Sequence, residues 1–321
     1  MRRSPLFIGT VFALASSSVA CESGLDPVPN DGSPPGLDVE EPYPIDRGDE
    51  GVGTPGKYKG LWLRLADTGQ PEVTQVAVTQ VDSIVTVVCF GMMESAAGCG
   101  DFVARITSHW LNERARNVVV VNCGQDGFGI ESWADPEKDA RLWEPCMLLV
   151  REWFGLLPHH VRVVYADVAL ERLTGDDGDR LPAYPDPESG YWRMKSHLTA
   201  FTARLPNFFP DLQAVYLSSR TYGGFAAGSA SAPVEPNSYE EGHAVNSWIA
   251  ENPERNGIWF GWGAYQWAPD CGAGVTNGQE ICYFRDDYAV NGYSLSPKGR
   301  GKMSWQIHYR LRREPWYRGG T

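Results

Sequence analysis

From residue 84 onward, blocks of consecutive apolar, β-branched residues alternate with stretches whose apolar positions recur every three or four residues. Residues 84–90 form the first block, and the lack of any polar alternation is the pattern of a strand covered on both faces. Gly91 ends it, small residues follow, and a helix is expected from about Asp101, with Phe102, Ile106, His109, Trp110 and Leu111 at helical spacing. Strand, tight turn and helix lift one side chain to the carboxyl edge of an α/β sheet. The same reading predicts strands over 117–122, 161–166, 212–218 and 257–262. It predicts helices over 138–154, 191–204, 239–251 and 300–311, the first kinked or split at Pro145. Residues 60–65 read as an extra edge strand or hairpin, and 174–190 as a long acidic loop. Strand and helix alternate, so the class is α/β: a three-layer α/β/α sandwich, flavodoxin-like, on a parallel five-stranded sheet. The loops after the strands then open on one shared edge.

The chain before this region has another character. Arg2 and Arg3, an apolar core over 5–15 and small residues over 16–20 make residues 1–20 a signal peptide. Ser18-Val19-Ala20-Cys21 resembles a bacterial lipobox, whose cysteine is diacylated after cleavage; Ser18 stands where an aliphatic residue is usual, and Ser18-x-Ala20 also fits an ordinary export site. Either route exports the chain, as a cell-envelope lipoprotein anchored at Cys21 or as a secreted protein. Residues 21–56 are rich in Pro, Gly, Asp and Glu with sparse apolar positions, a tether that cannot offset its own ordering entropy. Residues 57–321 remain as one domain.

Composition narrows the partners. Apolar content of 42% and charged content of 21% suit a folded domain, and the formal charge of −12 argues against nucleic acid and against an anionic membrane surface. Contact with a membrane is expected through the lipid anchor only. Six cysteines follow Cys21, an even number that suggests disulfides in an exported chain. Cys271 and Cys282 flank a glycine-rich stretch and are the favoured pair; Cys99 could join Cys123 or Cys146, and Cys89, inside the first strand, reads as an unpaired apolar filler. No Cys or His spacing points to a metal, and no cofactor is expected.

Several blocks then fall in a telling order: Gly91-Met92 after the first strand, the glycine-rich loop 124–129 after the second, and Leu217-Ser-Ser-Arg-Thr-Tyr-Gly223 after the fourth. Glu235-Pro-Asn-Ser-Tyr-Glu240, Trp262-Gly-Ala-Tyr-Gln-Trp267 and Gly292-Tyr-Ser-Leu-Ser-Pro-Lys-Gly299 follow. Together, over residues 84–303, they resemble the SGNH (GDSL-like) hydrolase family, in particular its secreted bacterial members. That resemblance implies an SGNH-type sandwich and acyl-ester hydrolysis by a serine, a histidine base and an orienting aspartate. Backbone amides, among them a glycine amide of the 124–129 loop, and an asparagine would hold the oxyanion. Carried over residue by residue, the serine position is Met93, the aspartate position Asn291 and the histidine position Ser294; the asparagine has no counterpart, the third strand being followed by Asp167. Loss of a catalytic serine or histidine alone costs on the order of a millionfold in turnover, roughly 8 kcal/mol of barrier. The expectation is a pseudo-hydrolase, without esterase catalysis, that binds a glycan or an acyl ester in a cleft formed by Gly91, Gly124, Asp167, Arg220 and Tyr222, with Asn291 and Ser294 beside them.

Two other functions stand against it. An active carbohydrate or acyl esterase could use Ser95, two residues past Met93, whose plain reading is a helix cap or a solvated turn residue. Its base is hard to supply: none of His109, His159, His160, His197, His243 and His308 precedes the closing helix where one is needed. The third reading is a structural or adhesive surface lipoprotein. Cys99 as nucleophile, Asp176-Asp177 or Asp286-Asp287 as glycosidase carboxyls, and sugar stacking by Trp259, Phe260, Trp262, Tyr265 and Trp267 each meet a plainer explanation, in disulfide pairing, surface charge and core packing. Arg220 is open between a carboxylate or phosphate ligand and a loop-holding role.

Overall fold

The computed structural model describes residues 77–80, 84–108, 117–226, 233, 235–264, 266–267, 275–276, 279–280 and 283–318. Cys21, the tether, the 60–65 segment, Tyr265, Cys271 and Cys282 lie outside them, so the expectations made there stay as expectations.

The strands are β1 (Val85–Gly91), β2 (Val118–Asn122), β3 (Val161–Asp167), β4 (Ala214–Ser218), β5 (Glu254–Arg255) and β6 (Ile258–Trp262), joined in the order β2-β1-β3-β4-β6-β5. All neighbours run parallel except β5, which pairs antiparallel with β6. The sheet is therefore six-stranded, not five-stranded: the unforeseen member is a two-residue edge strand, too short for its sequence to show a period.

Helices α1 (Ala96–Ile106), α2 (Ile130–Ala134), α3 (Trp143–Phe154), α4 (Gly190–Phe208), α5 (Asn237–Glu251) and α6 (Pro297–Leu311) fill the connections, and α7 (Pro315–Arg318) follows. Helices α1 and α6 pack on each other, and α4 packs on both α2 and α5. Helix α1 begins five residues before the expected start, since Ala96, Gly98 and Cys99 already pack inward. Helix α2 was not expected; a single turn carries no readable period. Pro145 does not kink α3: it sits in the first turn, where its missing N–H has no intrahelical bond to lose. Among the described residues no helix is long and apolar enough to cross a membrane.

The all-apolar strands are buried as their pattern requires, β1 completely. Phe90 points into an aromatic cluster on the α2–α5 face, with Trp133 edge-on at 4.8 Å, Trp143 at 5.4 Å and Phe201 at 6.0 Å. Its neighbour Cys89 points to the opposite face, toward α1, as alternation along a strand demands. There it bonds Cys99, and Cys123 bonds Cys146. Both differ from expectation: Cys89 is no apolar filler, and Cys99 joins neither Cys123 nor Cys146. An apolar run cannot distinguish a buried thiol from half of a buried cystine, because both are small and shed water equally well.

Candidate functional site at the carboxyl edge

The turn after β1 is tight enough to exclude a side chain at its first position. A Cβ on Gly91 would lie 2.4 Å from the Ser95 carbonyl oxygen and 2.4 Å from the Ala96 Cα, so the chain doubles back over a glycine. Met92 N–H donates to the Asp167 carbonyl at 3.2 Å, Met93 N–H to the Phe128 carbonyl at 2.9 Å, and Ser95 N–H to the Met92 carbonyl at 3.0 Å. Met93 has φ +51°, the left-handed region that a non-glycine residue enters at a cost of about 1–2 kcal/mol. The end of β3 and the loop after β2 fix the turn in this strained form, and the Cys89–Cys99 bond closes a ring around it.

The loop after β2 lies against the turn. A Cβ on Gly124 would meet the Gly91 nitrogen at 2.7 Å, and Gln125 N–H donates to the Gly91 carbonyl at 3.2 Å. The Gly124 amide itself is engaged: it donates to Asn122 Oδ1 at 2.9 Å. A donor so occupied is not aimed at a developing oxyanion.

Asp167 ends β3 in register with Gly91 and is 1% exposed. Gln266 Nε2 donates to its Oδ2 at 3.0 Å, and Gln266 Oε1 accepts from the Tyr283 hydroxyl, also at 3.0 Å. Burial pushes the Asp167 pKa up to about 7, against the opposing help of the Ser95 side chain, Gln266 and Arg220. Ser95 adjoins the carboxyl, but among the described residues no well-aligned bond reaches Oδ1. Ser95 is 3% exposed, holds the N-cap position of α1 without capping it through its side chain, and is neither solvated nor open to a substrate. His160 accepts from Leu157 N–H at the amino edge of the sheet, and His308 bonds the Tyr317 hydroxyl inside the α6–α7 packing.

Arg220, just beyond β4, is buried. Its Nε donates to Glu241 Oε2 at 2.8 Å, while Nη2 donates to Glu241 Oε1 at 3.1 Å and to the Leu170 carbonyl. Burial works against its charge, but Glu241, with Glu94 and Glu131 farther off, outweighs that and raises its pKa. The arginine thus ties the β3 loop to α5. Tyr222, also buried, packs edge-on against Trp267 at 4.9 Å and Phe225 at 5.2 Å.

Asn291 and Ser294 are paired with each other. Asn291 Nδ2 donates to Ser294 Oγ at 2.8 Å, and its Oδ1 accepts from Ser294 N–H at 3.0 Å. Arg285 donates to the Ala289 and Val290 carbonyls beneath them. No described hydrogen bond joins this loop to the β1 turn. Gly91, Met93, Gly124 and Asp167 therefore converge at neighbouring strand ends, Arg220 and Tyr222 brace the loops around them, and Asn291 with Ser294 forms a separate turn. Asp286 bonds Lys298, and buried Asp287 bonds the Phe284 N–H and Lys302, which leaves that acidic pair a structural role. Phe260 packs on Trp248 and Trp259 on Tyr216.

The carboxyls gathered around Arg220, namely Glu94, Glu131 and Glu241, are ones the sequence reading passed over. Glu94 follows Met93 directly; burial raises its pKa, eased by Arg220 and reinforced by Asp126. Glu131 is pushed up to about 7, again by burial, although its Oε2 accepts from Glu171 N–H at 2.7 Å. Glu94 was legible as the lone ionisable residue between Gly91 and Ser95. Glu131 and Glu241 gave no signal, since only the fold brings them there. Among the described residues no group of three or more His, Cys, Asp and Glu side chains is arranged to hold a metal ion.

No family model matches the chain, and no curated protein matches it in sequence. Among solved structures it is similar to a lipase/acylhydrolase from Enterococcus faecalis, at 13% identity over 71% of this chain and 96% of that one, with a TM-score of 0.40. It is similar to a member of the lipolytic G-D-S-L family from Veillonella parvula, at 12% identity over 71% and 99%, with a TM-score of 0.37. A phospholipase A1 from Streptomyces albidoflavus is similar at 14% identity over 70% and 98%, with a TM-score of 0.33. At these identities and scores the likeness gives this chain neither a substrate nor a catalytic residue.

Proposed function

We propose that the chain is an exported SGNH-hydrolase-like domain that does not hydrolyse esters and instead binds an uncharged, polyhydroxylated or acyl-ester ligand at the carboxyl edge of its sheet. The observation that carries this reading is the amide of Gly124, first glycine of the loop whose glycine amide the family resemblance assigns to the oxyanion, which is already spent on Asn122. The thioether of Met93 at the nucleophile position and the mutual pairing of Asn291 and Ser294 support the same reading. With Arg220 committed to Glu241 and with Glu94 and Asp126 beside the turn, local charge favours an uncharged ligand over an acidic one. Anchoring through a lipid on Cys21 belongs to the proposal, and two buried disulfides agree with an oxidising compartment.

The test uses the mature protein and p-nitrophenyl acetate and butyrate. The expected result is hydrolysis equal to the buffer rate, unchanged in Ser95→Ala, together with thermal stabilisation by neutral glycans or acyl esters that Glu94→Gln weakens. Turnover that disappears in Ser95→Ala would sink the proposal and establish an esterase built on Ser95 and Asp167. Cys21→Ala should move the protein from the membrane fraction to the soluble one.

A further inference from the structure

On the α4–α5 face, away from the β1 turn, a groove of about 590 Å³ opens between the second turn of α4, the end of α5 and edge strand β5. That volume is in the ordinary range of small-molecule sites. Trp192 borders it and is 39% exposed, among the largest apolar side chains that the described surface leaves open. Its ring is nevertheless fixed. Tyr191 meets it edge-on at 4.9 Å and 90°, Tyr184 lies 6.2 Å away, and Lys195 Nζ sits 5.3 Å from its centroid. Lys195 is held in turn by both Glu251 oxygens, at 2.7 and 2.8 Å, and by Ser247 Oγ at 3.2 Å. An indole so held loses little freedom when a ligand covers it.

The remaining lining is polar and only partly spoken for. Arg255 has no ion-pair partner among the described residues, and Ser196 and Asn252 stand with it at the rim. Since Lys195 and Glu251 cancel, Arg255 is the uncompensated charge of the groove.

We propose that this groove binds a saccharide carrying a carboxylate, such as a hexuronate-containing oligosaccharide. The C–H face of one pyranose ring stacks on Trp192. Its carboxylate pairs with the Arg255 guanidinium, and its hydroxyls bond Ser196 and Asn252. A purely aromatic ligand would cover the indole but strip water from the rim groups without replacing it, which costs free energy. The site is separate from the carboxyl-edge cleft, and the two proposals stand or fall independently.

Isothermal titration with tetragalacturonate and with maltotetraose, a neutral comparator, tests it. The wild type is expected to bind tetragalacturonate more tightly than maltotetraose. Trp192→Ala should weaken tetragalacturonate binding by roughly tenfold or more, with Trp192→Phe retaining most of it. Arg255→Gln should remove most of the preference for the uronate and leave maltotetraose binding nearly unchanged. Undiminished binding in Trp192→Ala, or no binding of either sugar by the wild type at millimolar concentration, overturns the proposal. Equal losses for both sugars in Arg255→Gln overturn the carboxylate assignment. Loss in Glu94→Gln with none in Trp192→Ala places the sugar in the cleft, which sinks this proposal and leaves the cleft reading intact.

Discussion

The turn after β1 and the loop before α6, which the family resemblance would make the two halves of a hydrolase centre, are stabilised in opposite ways. In the first, backbone N–H groups of Met92 and Met93 reach across to the β3 end and the β2 loop, a disulfide encloses the turn, and buried carboxyls and an arginine lie behind it. In the second, Asn291, Ser294 and Arg285 bond within about ten residues of each other, with Gly292 pressed against the Phe225 carbonyl as a point of contact with the rest. The first half is an outcome of the whole fold, its strained shape set by bonds between backbone groups of different elements. The second is local and can change composition at small cost. The scaffold of the turn is thus held by backbone bonds, a disulfide and a buried ion pair rather than by the side chain at position 93.

If that contrast is right, the largest effect comes from Arg220. Arg220→Met leaves Glu241 buried without its partner and should cost about 3–5 kcal/mol in urea unfolding, whereas Arg220→Met with Glu241→Met should recover most of it. A loss under about 1 kcal/mol for the single variant would mean that the pair does not brace this edge. A middle-sized effect follows from Asp167. Its folded pKa, about 7, lies above the ordinary carboxyl range, so the folded state holds a proton that the unfolded state has released. Stability is then greatest below about pH 4, falls as pH rises from about 4 to 7, and levels off above. Glu131, also at about 7, adds to the same slope. Thermal melts should drop by several degrees between about pH 5 and pH 8, and Asp167→Asn should flatten the curve. An unchanged slope in that variant would remove Asp167 from the account. The smallest effect is at the other half: Asn291→Ala should cost less than about 1 kcal/mol, the loss of a part-exposed local bond. A cost near that of Arg220→Met would erase the contrast between the halves.

What the sequence disclosed follows the range of the interactions involved. The central strands were legible because each is a short run dominated by apolar residues, and the turn was legible because Gly91 interrupts such a run before small residues. Edge strand β5, Glu254–Arg255, left no trace, being two charged residues without a period. The Arg220–Glu241 pair joins positions 21 residues apart through a cleft wall, so only the assembled sheet reveals that Arg220 braces loops. The Cys89 bond was obscured for another reason: strand periodicity assigns it to the core, which is true, and is silent about the sulfur 10 residues on. The engagement of Gly124 by Asn122 spans two residues and was open to inspection, since a side-chain amide at a strand end readily folds back on the following backbone.

That small contact has a consequence for anyone who would graft chemistry onto this protein. If the family resemblance assigns the roles, a hydroxyl installed at position 93 and an imidazole at 294 would supply an attacker and a proton carrier, yet the Gly124 amide in the loop beside the turn would still be bonded to Asn122. Asn122 has to be evicted as well, so the first mutation of a resurrection programme belongs on β2, a strand where no catalyst would be sought.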